Sequence, residues 1–187
     1  ISSRLPTTKG EEVNRAPKVR RALADIGAGI VGGYVGTKVM ERVSMKLYEL
    51  EPEEDRRQED EVRPGDPPII AAGKTARLLG LDLSEEAVER LGLYLFHYGL
   101  GASWGPAYTL LRRKTDLAPV PAGLLLGAAM SLVVDEGMTP YFGFSAPNRA
   151  YPLSTHLRGF AAHLAYGLGV AATVEAIRWL GANSAPD

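Results

Sequence analysis

Cysteine is absent from the 187 residues, which excludes disulfides, thiolate metal sites and redox thiols. Net charge is also nearly absent, at −1, so the chain lacks the basic surplus of a nucleic-acid-binding protein. No nucleophile–base arrangement, phosphate loop or HExxH pattern occurs. The glycine run Gly27–Gly36 has no strand before it, as a nucleotide fingerprint would require. An enzyme is therefore not expected. Residues 1–21 lack the apolar core of a signal peptide. The start at Ile1 reads as a missing or processed beginning, and the first membrane helix would serve as an uncleaved signal.

What the chain does have is segregated charge. Charged groups concentrate in residues 1–21 and 49–90, while 22–37, 91–111, 117–134 and 159–174 are almost free of them. With its flanks, each apolar stretch approaches the ~20 residues that a helix needs to cross a bilayer core. Several are apolar all round and rich in glycine, as membrane helices are. The expectation is an all-α polytopic membrane protein with four crossings, in which residues 22–180 form the membrane domain. Residues 1–21 form a basic tail and 181–187 a C-terminal tail.

The first crossing is expected at Arg21–Tyr48. An acidic, proline-bearing loop at 49–67 should lack regular structure. A short amphipathic helix at Pro68–Leu79 would complete the first outer loop, 49–83. Ser84 reads as an N-cap with Glu85 and Glu86 in the first turn. The second crossing runs to Leu111, with a kink expected at Gly105-Pro106. Crossing three is placed at Val120–Tyr141, then a turn-rich loop at 142–155, then crossing four at Thr155–Trp179. Basic residues Arg15, Lys18, Arg20 and Arg21, and the turn Arg112-Arg113-Lys114, put both termini in the cytoplasm.

Two patterns recur. Gly29-xxx-Gly33 followed by Glu41 resembles Gly123-xxx-Gly127 followed by Asp135 and Glu136, and Tyr-Gly-Leu-Gly occurs at 98–101 and 166–169. They read as two parallel two-helix repeats. Gly29, Gly33, Gly36, Gly101, Gly105, Gly123, Gly127 and Gly167 are the expected close-packing positions. The repeat gathers Glu41, His97, Asp135, Glu136 and His163 in one layer in the outer half of the membrane. Such groups usually face one another inside the bundle. Three uses remain open: locking the helices, holding a proton or divalent metal, or ligating haem through His97 and His163. A two-residue offset between those histidines on the repeat, roughly 200° of helix, disfavours a shared ligand. No cofactor is expected.

The segment Asp135-Glu136…Pro140…Gly143…Pro147…Tyr151-Pro152-Leu153-Ser154-Thr155-His156-Leu157-Arg158-Gly159…His163…Tyr166-Gly167 resembles the YagU-like family of bacterial inner-membrane proteins. His97-Tyr98-Gly99 with Gly101, Gly105 and Tyr108 is similar to that family's earlier helix. The resemblance spans about residues 22–180 and implies a four-helix protein of the bacterial inner membrane with no assigned function. The expected partners are the lipid bilayer and a second protein or further copies of the chain. The leading expectation is a non-enzymatic accessory subunit or oligomer packed through glycine faces. A small proton-, metal- or solute-handling protein is the alternative.

Overall fold

A computed structural model of the chain describes residues 9–183, with side chains from residue 19 onward. The described residues are all-helical, with short connections and no strand. Helix α1 is Lys9–Glu49, α2 Glu53–Val62 and α3 Pro67–Leu78. Helix α4 covers residues 85–114, α5 is Pro119–Tyr141 and α6 Leu153–Asn183. The tails at 1–8 and 184–187 lie outside the described residues.

Local chemistry accounts for most boundaries. Pro67 and Pro119 sit in the first turns of α3 and α5, where no backbone N–H is needed. Gly80, at φ +68°, follows the end of α3 in the left-handed conformation that glycine tolerates. Ser84 Oγ accepts from the Ala87 N–H at 3.3 Å, capping α4.

Two expectations are corrected. Helix α1 begins a dozen residues before Arg21, so part of the basic tail is helical. The acidic stretch at 49–67 is not irregular, because it contains α2. Glu53, Glu54 and Asp55 complement the positive end of that helix, and buried Glu59 ties it to α6. Helix α4 remains α-helical through Pro106. It changes winding upstream, at Gly92–Gly99, where the bonding is i→i+5. Helix α5 does the same at Ser131–Met138.

Among the described residues, only α5 and α6 are both long and apolar enough to cross a membrane. Helix α1 is as long, but Asp25, Lys38, Glu41 and Arg42 leave a short uncharged centre. Helix α4 has a longer uncharged run diluted by glycine, tyrosine and His97.

Helices α1 and α6 form the central pair, with α4 laid along α1 and α5 along α6. Glycines set each contact. A Cβ on Gly105 would fall 1.8 Å from the Gly29 carbonyl oxygen, and one on Gly33 would fall 2.4 Å from that of Gly101. In the other pair, Gly167 meets the Gly123 carbonyl and Gly127 meets that of His163. Gly32 and Gly36, one step round α1, pack instead on Val170, Val174 and Tyr166 of α6. The two overlapping glycine pairs of α1 thus serve two neighbours.

These contacts place the two Tyr-Gly-Leu-Gly copies out of register. Gly101 of the first lies on Gly33, but the position facing Gly127 is His163. Gly169 of the second copy packs on Gly36 and Val39 of α1.

Gly105→Ala is expected to lower stability by about 3 kcal/mol or more, because carbonyl backbone rather than a movable side chain blocks the methyl. Gly27→Ala, with open space around it, should be neutral or gain up to ~1 kcal/mol of helix propensity. Thermal unfolding of the two variants in detergent separates these outcomes.

Candidate functional site

The polar side chains of the bundle collect at its two ends. At one end Arg112 and Arg178 bond Glu175 at 3.1 and 3.2 Å, Arg178 reaches Asp25 at 3.1 Å, and Tyr108 donates to Glu175 at 2.9 Å. These hold α1, α4 and α6 together. Between this end and the other, roughly 20 Å away along α1 from Asp25 to Lys38, the interior is Thr37, Tyr166, Val170 and Val174, all essentially buried. Thr37 Oγ1 donates to the Gly33 carbonyl at 2.9 Å, and Tyr166 Oη to that of Gly101 at 2.6 Å.

The opposite end holds every residue of the expected layer, and each histidine of the chain meets a carboxylate there. His97 Nε2 lies 2.9 Å from Glu41 Oε1. Lys38 bonds both Glu41 and the Tyr98 hydroxyl. His163 Nδ1 lies 2.9 Å from the Gly159 carbonyl and 3.3 Å from Asp135 Oδ2. The layer is therefore two separate clusters. His97 belongs to one and His163 to the other, each with its own acid. No group of three or more metal-ligating side chains is present among the described residues.

Both i→i+5 segments carry site residues: His97 and Tyr98 in the first, Asp135 and Glu136 in the second. Such winding widens the turn, re-aims side chains and recurs at functional sites. In α5 it leaves the Val134 carbonyl to accept from Thr139 Oγ1 at 2.8 Å.

His156 completes the second cluster, and the candidate set drawn from the sequence omits it. Its Nδ1 lies 2.7 Å from Glu136 Oε1 and its Nε2 3.0 Å from the Asn148 carbonyl. Both neighbours are acceptors, so the geometry fits a ring carrying two protons. Asn148 Nδ2 donates to Glu136 Oε2 at 2.9 Å. Glu136 is thus satisfied on both oxygens, and the 142–152 connection is pinned to α5. A Pro-Asn turn ahead of a histidine was the available signal, but neither residue is remarkable alone.

Arg158 was also missed. It reaches Glu51 at 2.5 Å and both oxygens of Glu59 at 2.6 and 2.7 Å, and it lies over the Tyr48 ring at 5.0 Å. Its side chain is 11% exposed, against 8% and 5% for the two carboxylates. Burial pushes the Glu51 carboxyl above its ordinary 4.5; Arg158 pulls against this, and neighbouring Glu59 and Asp55 reinforce it.

Between this network and α5 lies a chamber of about 300 Å³. Its walls include Glu59, Arg63, Asp135, Glu136, His156 and Arg158, with Ser44, Ser145 and Tyr151 among the uncharged groups. Asp135 differs from the other wall charges. Its closest polar contact is shared with a carbonyl, and its side chain stays 42% exposed. That surface faces the chamber. A second cavity of about 310 Å³ touches Glu41 and His97, with Arg63 and Pro67 common to both. Glu59, Arg63 and Pro67 belong to the segment around α2 and α3, so this acidic insert roofs both cavities.

Fold and site together define an all-helical protein with two helices able to cross a membrane and a polar, ion-paired chamber at one end. No protein-family model, curated protein or solved structure matches the chain.

Replacing Arg158 with Met should destabilise the fold by about 3–5 kcal/mol, because two buried carboxylates lose their counter-charge. Adding Glu51→Gln and Glu59→Gln should recover part of the loss in detergent unfolding. A second expectation concerns pH. The folded state favours protonated Glu51, so that residue stabilises below the unfolded value and the contribution fades as pH rises through the folded one. The stability of wild type relative to Glu51→Gln should therefore fall on raising pH above 4.5.

Proposed function

We propose that this chain is a non-enzymatic integral membrane protein with four crossings, which binds a small polar solute at the end where its three histidines lie. The single observation that carries this reading is the polar chamber, with Asp135 open to it. Large apolar side chains turned outward on all four long helices, among them Ile30, Leu95, Leu132 and Leu168, support immersion in lipid. The YagU-like resemblance supports a place in a bacterial inner membrane. Arg112, Arg113 and Lys114 at the α4–α5 turn support cytoplasmic termini, with the chamber facing out. The pairing of α1 with α4 and of α5 with α6 through glycines supports a twofold repeat, in the register that sets Gly105 beside Gly167.

The packed centre around Thr37 and Tyr166 favours one-sided binding over a conduit. Glycine contacts inside the chain leave fewer such faces for a partner, which weighs against oligomerisation through them. A second reading, an accessory subunit, is favoured by Leu78, Leu79 and Leu81, which stand exposed at the tip between α3 and α4.

The natural absence of cysteine makes single-cysteine labelling the direct test. In sealed membranes a small impermeant thiol reagent added outside should modify Ser145→Cys in the chamber wall. Thr37→Cys in the packed centre should stay unmodified from either side, and Lys114→Cys should react from the cytoplasm alone. An unreactive Ser145→Cys would remove the chamber reading, and a reactive Thr37→Cys would point to a conduit.

A further inference from the structure

The carboxylates around the chamber are not equally engaged. Arg158 stands between Glu51 and Glu59, Arg63 bonds Asp66 at 2.5 Å, and His156 is matched by Glu136. Each of these basic side chains therefore has a carboxylate partner. Asp135 remains: His163 donates through Nδ1 to the Gly159 carbonyl at 2.9 Å, and the same nitrogen lies 3.3 Å from Asp135. Three carboxylates, Glu59, Asp135 and Glu136, line the chamber beside Arg63, His156 and Arg158. Glu51, Glu59, Asp66 and Glu136 are occupied by ion pairs, whereas Asp135 presents its carboxylate to the open space.

We infer that the chamber takes a small organic ammonium ion, with Asp135 as its counter-charge; the inference rests on the chamber reading above. Three features select this class. A carboxylate set in a cleft between helices gains more from a cation than one on an open surface. The Tyr151 ring in the wall offers the aromatic face that ammonium groups favour. The chamber, at about 300 Å³, lies at the small end of ligand pockets and exceeds what a bare ion needs. A multidentate metal cage is less suited, since no three ligating side chains converge among the described residues. An anion would meet Asp135 unpaired, with no free guanidinium in compensation.

The test uses the full chain purified in detergent and follows its thermal midpoint and calorimetric heat with tetramethylammonium and ethylammonium chloride. Matched sodium chloride, inorganic phosphate and glycerol are the comparison probes. At least one ammonium probe should raise the midpoint above the sodium chloride control. Asp135→Asn, close to isosteric, should weaken that binding at least about tenfold, while Asp82→Asn at the exposed hairpin should leave it unchanged. Should Asp135→Asn fail to fold, Asp135→Glu takes its place and must alter the affinity. Ammonium binding that ignores the Asp135 variants overturns the inference. Binding of phosphate or glycerol without ammonium overturns it too, yet leaves the chamber reading standing. No response to any probe, with Ser145→Cys unreactive, removes both.

Discussion

Backbone laid directly on backbone, at positions where no side chain beyond hydrogen fits, is the contact on which everything else here depends. Gly29 and Gly33 bring α4 onto α1, Gly32 and Gly36 bring α6 onto the adjacent face, and Gly123 and Gly167 close α5 on α6. In an apolar solvent the hydrophobic effect gives helices no reason to associate, so dispersion across such close approaches has to do it. The same contacts set relative depth. Once Gly105 lies on Gly29 and Gly167 on Gly123, Glu41 is carried to His97 and Asp135 to His163 without any further adjustment.

That placement explains why the charged groups gather at the ends as connected networks. A carboxylate taken out of water is tolerated only with a counter-charge or donors around it. Glu175 collects Tyr108, Arg112 and Arg178, whereas Glu59 collects Thr155 and Arg158. The second network also explains the insert. An acidic, proline-flanked stretch has no hydrophobic reason to fold against a bundle, yet α2 is held by Arg158 and Thr155 of α6. Asp135 is the member whose nearest polar group, His163 Nδ1, is shared with a carbonyl, and it lines the chamber.

Segregated charge, apolar runs and spaced glycines were enough to anticipate the long helices, the short helix after Pro67, the Ser84 cap and the packing residues. The candidate layer was legible in outline because Glu41, His97, Asp135, Glu136 and His163 each interrupt an apolar stretch. Its internal pairing was not. Angular reasoning from 3.6 residues per turn does not hold across Gly92–Gly99 and Ser131–Met138, where the winding changes. His156 and Arg158 went unselected because they stand among ordinary polar residues at a helix start. The twice-used Tyr-Gly-Leu-Gly misled for a related reason: identical words need not occupy equivalent places when glycine is common in every helix.

The sequence alone determined an all-helical chain, where its uncharged segments lie and which positions could bring two backbones together, because those depend on composition and local spacing. Tertiary structure alone decided which glycine meets which, that the three histidines divide among three acids, and that an acidic insert roofs a chamber. Those outcomes rest on contacts between residues far apart in the chain, such as Glu51 and Arg158, 107 positions apart. A pairing at that range is chosen by the geometry of the packed helices, and no local pattern records it.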